Sequence, residues 1–367
     1  YVAAGLYGQP TIEFLIGGPG GQRFDGLFQT PLPRPSVPGR DALVFLYYRN
    51  ADAVAWFRAL YPHLVLDTPT APHGGNAILD ILRIPAADLE AVYGLHGSLR
   101  TTDAPPASRV DAMLDFGPGT PLAQPFTATW TGALTAPANG TYRLRLDVDP
   151  PASSDLTLGG VRLAPDGTTP VVLAAGHYPL TVSVATGAPP RRLRLLWTAP
   201  GGGEEPIPAA RLLSPGVPDA GLTGTYWGGA AEPPDPPAFV RIDPTPSWFH
   251  WNEPVTNGTG PFSVSWEGTL LVPQTGDYTF GIQTMGRSEL WLDGRQVMTA
   301  TAALEQQNDV LGNRTVTLAA GPHPVRMVIH ALGWRDPVYW YWTPPGGSRA
   351  IIPFNAFRPP PPVPAGP

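Results

Sequence analysis

One stretch of this chain occurs in two similar copies, and this duplication constrains the fold more than any other feature of the sequence. The segment from Pro125 to Asp147 reads PFTATWTGALTAPANGTYRLRLD, and it aligns without a gap with PFSVSWEGTLLVPQTGDYTFGIQ, from Pro261 to Gln283. Later blocks align in the same order, among them LRLLWTAPGG at 193–202 with VYWYWTPPGG at 338–347. A repeat of this length predicts two tandem copies of one folded unit.

Apolar residues alternate with polar ones in both copies. Tyr, Leu and Leu stand at 142, 144 and 146 of the first copy, and Tyr, Phe and Ile at 278, 280 and 282 of the second. A period of two is typical of a strand with one buried face, and the Asn-Gly and Thr-Gly turns before these strands indicate antiparallel hairpins. The same alternation places four tryptophans in the core: Trp130, Trp197, Trp266 and Trp342.

The motifs shared by the two copies resemble a known family. Each copy carries, in order, GL-x-G, then W-x-G-x-L-x-x-P-x-x-G-x-Y, then A-G, and finally a strand that ends in W-T-x-P-G-G. This ordered set resembles the β-sandwich module named after the anthrax protective antigen, and the second copy is the nearer match. The first copy has Gly159–Gly160 where the second has Asp293–Gly294. The resemblance implies two tandem antiparallel β-sandwiches.

Residues 1–89 are unlike the repeats. Short apolar runs predict strands at 12–16, 43–48, 64–66 and 78–84, and helical periodicity predicts helices at 50–60 and 86–93. The expected fold is therefore mainly β, with two tandem antiparallel β-sandwiches preceded by a small α/β domain. The expected boundaries are 1–89 for the α/β domain, 90–215 and 217–360 for the sandwiches, and 361–367 for a proline-rich tail.

Composition and the lack of catalytic motifs exclude several classes of function. The chain has no cysteine, which excludes disulfides, thiolate metal sites and a cysteine nucleophile. Its 23 basic and 29 acidic residues argue against nucleic acid as a partner. No apolar run reaches the roughly 18 to 20 residues of a membrane span. Neither H-E-x-x-H nor G-x-S-x-G occurs, so the chain is predicted not to be an enzyme.

Aromatic residues of the second copy form the first candidate binding surface. In VYWYW, positions 338, 340 and 342 match core positions of the first copy, so the residues between them are expected on the opposite face. Exposed aromatic rings stack on sugars or anchor protein interfaces, whereas a loop folded over the sandwich would bury them. The candidate ligand or interface aromatics are Trp248, Phe249, Trp251, Trp334, Tyr339 and Tyr341.

Arginines on one sheet face of the first copy form a second candidate surface. In a net-acidic chain, such a face suggests docking of carboxylates or acidic glycans, and ordinary solvated arginines are the alternative. The predicted basic face consists of Arg143, Arg145, Arg191, Arg192 and Arg194.

A calcium site in the first copy is the third candidate. The family resemblance implies that carbohydrate-binding relatives hold calcium with adjacent aspartates in a loop, and calcium prefers six to eight oxygen ligands. The second copy has Thr284 to Arg287 in that place, so it is expected not to bind calcium in this manner. The first copy offers Asp147, Asp149 and Asp155, which are either ligands or ordinary solvated loop acids; no other cofactor is predicted.

These features predict a non-catalytic extracellular or cell-surface protein for recognition and assembly, such as a subunit of a surface filament, layer or adhesin. Its expected partners are further copies of itself, other surface proteins and glycans. The tail Pro359–Pro367 is expected to dock on a neighbouring chain as a polyproline II strand, since its preset backbone lowers the entropic cost of ordering.

An alternative comes from the N-terminal segment. RALYPHLVLDTPT at 58–70 and ILRIPAADLEAVYGL at 81–95 resemble the extracytoplasmic tail of membrane glycosyltransferases that use lipid-linked sugars. On this interpretation, the chain is the extracytoplasmic, glycan-binding portion of such an enzyme.

Overall fold

The structure, a computed structural model, is mainly β, as the sequence predicts. It describes residues 1–3, 23–24, 29–33, 39–47, 51–70, 79–101, 104–117, 125–229, 236–249, 261–303, 306, 309–331 and 337–364. The chain divides into two compact units, one made of Tyr1–Leu89 with Ala220–Pro359 and the other of Glu90–Asp219 with Pro360–Pro367. The N-terminal segment therefore shares a unit with the second sandwich. Among the described residues, no helix is both long and apolar enough to cross a bilayer.

The described residues of the N-terminal segment form a small five-stranded sheet and two helices. Its strands are β1 (Val2–Ala3), β2 (Arg23–Phe24), β3 (Ala42–Tyr47), β4 (Val65–Asp67) and β5 (Leu79–Ile84), and its helices are α1 (Ala51–Leu60) and α2 (Ala86–Ala91). The sheet order is β2-β1-β3-β5-β4. Apolar residues of α1 and β5 are buried, including Trp56, Phe57 and Leu82. Strands β3, β4 and β5 and both helices lie within a few residues of their predicted positions, whereas β1 and β2 were not predicted. The strand predicted at 12–16 lies outside the described residues.

Where the structure describes it, the first repeat forms twelve strands of the first sandwich. They are β6 (Leu95–Thr101), β7 (Ala107–Asp111), β8 (Asp115–Phe116), β9 (Phe126–Ala136), β10 (Gly140–Asp149), β11 (Ser153–Leu158), β12 (Val161–Leu163), β13 (Pro170–Leu173), β14 (Gly176–Ala185), β15 (Arg192–Thr198), β16 (Glu204–Pro206) and β17 (Leu212–Leu213). One sheet has the order β12-β11-β14-β9-β6-β7, and the other contains β16-β15-β10-β13.

The second sandwich repeats this set of strands. They are β18 (Leu222–Gly228), β19 (Phe239–Asp243), β20 (Trp248–Phe249), β21 (Phe262–Val272), β22 (Gly276–Gln283), β23 (Gly286–Leu292), β24 (Arg295–Ala302), β25 (Leu311–Leu318), β26 (Gly321–Ala331), β27 (Pro337–Thr343), β28 (Ala350–Ile351) and β29 (Phe357–Arg358). The sheet β24-β23-β26-β21-β18-β19 and the run β28-β27-β22-β25 match the first sandwich strand for strand. The sequence repeat is thus a repeat of topology.

The four tryptophans predicted to lie in the core are buried in both sandwiches. Trp130 and Trp266 are fully inaccessible, and Trp197 and Trp342 are buried at equivalent places in the opposite sheets. Each of the latter pair packs against the tyrosine of the G-x-Y motif, with ring centroids 5.7 Å apart in the first sandwich and 5.4 Å apart in the second. Transfer of a large aromatic side chain from water to an apolar core contributes about 2 to 3 kcal/mol to the stability of a fold.

The C-terminal tail belongs to the first sandwich. Its last described strand, β30 (Val363–Pro364), pairs antiparallel with the edge strand β13, with Val363 opposite Val172 and Pro364 opposite Val171. This placement contradicts the expectation that the tail docks on a neighbouring chain, because the strand edge of its own chain supplies the partner.

Candidate recognition surfaces

A concave surface lies on the outer face of the second sandwich, across β18, β21, β26 and β23. The strand register sets Trp227 opposite Ser263, Ser263 opposite His330, and His330 opposite Arg287, so the four form one row. Side chains alternate across a sheet, and the neighbours of this row along their strands, such as Ile329, fill the core. The row therefore faces away from the core, and it lines a cavity of about 280 Å³.

The floor of this cavity is sheltered, although it belongs to an outer face. The next row of the sheet places Ser265 beside Val328 and Val328 beside Glu289. All three residues are buried, as is Ser263. Hydroxyl groups in such a depression can exchange hydrogen bonds with a ligand under partial exclusion of water, which is typical of small-molecule sites.

Two arginines stand at the rim of the cavity, and each has a partner within the sheet. Arg287 donates to the carboxylate of Glu289, which also accepts a bond of 3.1 Å from Trp291 Nε1. Arg326 Nε donates to Ser265 Oγ at 3.1 Å and lies 3.6 Å from Glu267 Oε1. The side chains of Arg287 and Arg326 remain 56% and 43% exposed. A guanidinium carries five N–H donors, so both retain donors for a ligand.

Residues 218–356, which contain all of these strands, match the PA14 domain family. This match covers nearly all of the second sandwich, and we call the matched segment the PA14 domain below. The chain is also 27% identical over 215 residues to the anti-sigma-I factor RsgI3 of Acetivibrio thermocellus, a match that covers 50% of this chain and 32% of that protein. The chain thus spans about a third of the length of this curated relative.

The chain is also similar to several solved structures. An anti-sigma factor domain-containing protein is 22% identical, with 73% of this chain and 99% of that chain covered and a TM-score of 0.34. Its counterpart from Clostridium clariflavum is 18% identical over the same shares, with a TM-score of 0.32. A PA14 sugar-binding domain from an RTX adhesin is 16% identical, with 38% and 98% covered and a TM-score of 0.31.

The PA14 domain also contains a buried polar cluster that sequence analysis missed. Asp243 accepts bonds from Trp266 Nε1 at 2.7 Å, from Arg241 Nε at 2.6 Å and from the hydroxyl of Tyr226. Arg241 Nη2 in turn donates to the Tyr226 oxygen at 2.8 Å. Burial raises the pKa of Tyr226 well above its ordinary value, so the phenol keeps the proton that it donates.

The first sandwich repeats the core of this cluster. Asp111 accepts bonds of 2.8 Å from both Trp130 Nε1 and Arg109 Nε, and Leu99 pairs with β9 where Tyr226 pairs with β21. The second glycine of GL-x-G lies against the cluster, since a β-carbon on Gly97 would stand 2.7 Å from Trp130 Nε1. The aligned tripeptides RVD at 109–111 and RID at 241–243 contain the arginine and aspartate of each cluster, and this repeat could have revealed the cluster from the sequence. The aspartate and arginine of each cluster pair with one another inside the fold, so the cluster is structural.

The aromatic candidates on β27 lie on the expected faces. Val338, Trp340 and Trp342 are buried, and the intervening Tyr339 and Tyr341 are half-buried on the opposite face. The two tyrosine rings lie 6.5 Å apart, and the Arg349 guanidinium lies 5.8 Å from the ring of Tyr341. The Tyr341 hydroxyl is bonded to Gln283 at 3.1 Å.

The other aromatic candidates are placed only in part. The backbone of Trp248 and Phe249 forms β20, which pairs with the start of β27. Their side chains, together with Trp251 and Trp334, lie outside the described residues. The structure therefore brings the two tyrosines together on one face and leaves the rest of this surface a prediction.

The predicted basic face is occupied by carboxylates of its own sheet. Arg145 makes a two-pronged pair with Glu204, at 2.8 and 2.6 Å. Arg192 pairs with Asp147 at 2.7 Å and Arg194 with Asp115 at 2.8 Å, whereas Arg143 reaches two backbone carbonyls at 3.4 Å and Arg191 is exposed. Because acids on β8, β10 and β16 neutralise three of the five arginines, the face offers much less positive charge than the sequence suggests.

The three aspartates proposed for calcium do not converge. Asp147 lies on β10 and is held by Arg192, whereas Asp155 lies on β11 in the other sheet and pairs with Arg162 at 2.6 Å. Asp149 ends β10. Within the described part of the chain, no group of three or more acidic or histidine residues could hold a metal ion. Asp155 is separated from the other two acids because β11 and β10 belong to different sheets.

Proposed function

We propose that this protein is a non-catalytic recognition protein that acts outside the cytoplasm and binds a glycan on the outer face of its PA14 domain. The observation that carries the proposal is the concave row Trp227, Ser263, His330 and Arg287 above a floor of buried hydroxyls. The PA14 match over residues 218–356 supports it.

The chemistry of the cavity suits the hydroxyl groups of a sugar. Arg287 and Arg326 supply donors, Glu289 supplies an acceptor, and the serine hydroxyls supply both. Each arginine already lies beside a carboxylate, so the surface offers directed hydrogen bonds and little net charge. A neutral glycan therefore fits it better than a highly charged ligand does.

Removal of the rim arginines should weaken glycan binding. We expect Arg287→Ala and Arg326→Ala each to reduce affinity for a glycan identified on an array of neutral and acidic oligosaccharides by about tenfold, or about 1.4 kcal/mol. Titration calorimetry of the full chain would measure this effect. Arg295→Ala is the matched control, because Arg295 is exposed on β24 of the same sheet but does not line the cavity.

Two outcomes would contradict the proposal. One is an array on which no oligosaccharide binds the full chain above background. The other is a glycan whose affinity is unchanged by both rim substitutions, because binding would then occur elsewhere on the molecule.

The structure bears on one of two finer predictions, the assembly role, and not on the other. The assembly role in a filament, layer or adhesin depended on a tail that docks on another chain, and β30 pairs with β13 of its own chain, so this role has lost its main support. The glycosyltransferase alternative rests on residues 58–70 and 81–95 of the sequence alone and stays a prediction.

A further inference from the structure

The proline tail is anchored on the first sandwich by one buried residue. Pro362 is buried, whereas Pro361 before it and Val363 after it are exposed. Val363 and Pro364 then continue as a strand beside β13. The tail is therefore recognised in two ways, through a pocket for one proline and through the backbone of an edge strand.

The pocket for Pro362 exists because residue 159 has no side chain. A β-carbon on Gly159 would stand 2.4 Å from Cγ and 2.8 Å from Cδ of Pro362, and 3.4 Å from Cδ1 of Tyr178. The φ angle of Gly159 is +56°, a left-handed value that asparagine and aspartate also adopt. The proline, rather than the backbone conformation, therefore requires glycine here.

The second sandwich shows the same place without a pocket. Asp293 occupies the equivalent turn with a φ angle of 50°, and its amide donates to Pro324 O at 2.9 Å, as the amide of Gly159 does to Pro179 O at 2.7 Å. The Asp293 carboxylate fills the space and pairs with His323 at 2.8 Å.

The residue beneath the pocket differs between the two copies in a matching way. His323 Nε2 bonds to Ala319 O at 2.9 Å, and in the first sandwich the Tyr178 hydroxyl makes the same bond to Ala174 O at 2.9 Å. Tyrosine thus replaces histidine where glycine replaces aspartate. As a result, the first sandwich has an open pocket beside the ring of Tyr178 where the second sandwich has the ion pair between Asp293 and His323.

We propose that the first sandwich carries a binding site for an extended proline-rich segment, formed by Gly159, Tyr178 and the edge of β13, with the chain's own tail as its resident ligand. A polyproline segment loses little backbone entropy when it docks, and aromatic side chains are its usual partners. The edge of β13 adds main-chain pairing, and pairing also covers an edge that would otherwise be open. Attachment to the same chain gives the tail a high effective concentration.

The first test uses full-length chains and hydrogen exchange. Gly159→Asp installs the residue that the second sandwich tolerates at this turn, so the fold should persist while the carboxylate displaces Pro362. Successive residues of a strand direct their N–H groups to opposite neighbours, so of Val171 and Val172 only the one whose N–H faces β30 rather than β10 should exchange at least tenfold faster. Asp293→Gly is the matched control in the second sandwich and should leave these amides unchanged. Unchanged exchange in the folded Gly159→Asp chain would overturn the proposal.

The second test asks whether the site binds the segment from solution. Pro362→Asp in the full chain should release the tail, and the vacated site should then bind a labelled PPPPVPAGP peptide with saturation. Fluorescence anisotropy should show binding at least tenfold weaker to the unaltered chain, whose site is filled, and to the double variant with Gly159→Asp. Equal binding to all three chains, or no binding to Pro362→Asp, would show that no such site exists.

Discussion

Replacement of Asp243 by alanine is expected to lower the free energy of unfolding of the unit that holds the PA14 domain by about 3 to 5 kcal/mol, the usual cost of removing one partner from a buried charge pair. Asp243 is buried and accepts bonds from Trp266, Arg241 and Tyr226. Its loss leaves the Arg241 guanidinium, whose side chain is only 13% exposed, without its counter-charge. The neighbouring indole N–H also loses its acceptor.

Scanning calorimetry can measure this loss. At roughly 2 to 4 °C per kcal/mol for a unit of this size, the transition should fall by on the order of 10 °C. Asp111→Ala is the matched control in the first sandwich. It should cost less, because the Arg109 side chain is 31% exposed and Leu99 lies where Tyr226 lies in the second sandwich. Equal losses in the two variants would mean that burial of the arginine does not set the cost.

Acidification is expected to destabilise the first sandwich through His177. Burial, aided by the positive charge of Arg211, lowers the pKa of His177 from 6.5 to about 4. The folded state therefore holds His177 neutral while the unfolded chain binds a proton below pH 6.5. Stability that is present above this value is lost as the pH falls, by about 3 kcal/mol near pH 4.

Hydrogen exchange of peptides from β14 in increasing urea, at pH 7.5 and again near pH 4.5, would measure this loss locally. His177→Gln is the informative variant, because the amide can keep the bond to Thr135 but cannot gain charge. Between the two pH values, the variant should lose less local stability than the unaltered chain, and the difference is the contribution of His177. A variant as acid-sensitive as the parent would assign the effect to other groups.

The second sandwich should respond to His323 in the opposite direction. Burial lowers the pKa of His323, but the bonds to Ala319 and Asp293 outweigh it, and the net shift is upward. Such a group contributes stability that is fully present below pH 6.5 and is lost as the pH rises through the folded-state pKa. Asp293→Asn should reduce this contribution, because the bond to Asp293 and its negative charge both raise the pKa of His323.

Local patterns were sufficient to predict the strands and the repeat. Alternation in TYRLRLD and DYTFGIQ identifies which residues face the core, because a strand turns each successive side chain to the opposite face. The buried tryptophans and the placement of Tyr339 and Tyr341 follow from the same rule. Each of these inferences needs only the order of residues along one strand and the fact that one face of the sheet packs on the core.

The charges and the tail needed the tertiary structure. Arg192 meets Asp147 because β15 pairs with β10, and Arg145 meets Glu204 because β16 follows β15 in the strand order. Pro362 reaches Gly159 from the far end of the chain. By itself, the sequence determined a duplicated sandwich with known inner faces, since period and repeat are local properties. Only the fold decided which charges are paired and where the prolines dock, since these contacts join segments whose separation in sequence carries no information about their distance in space.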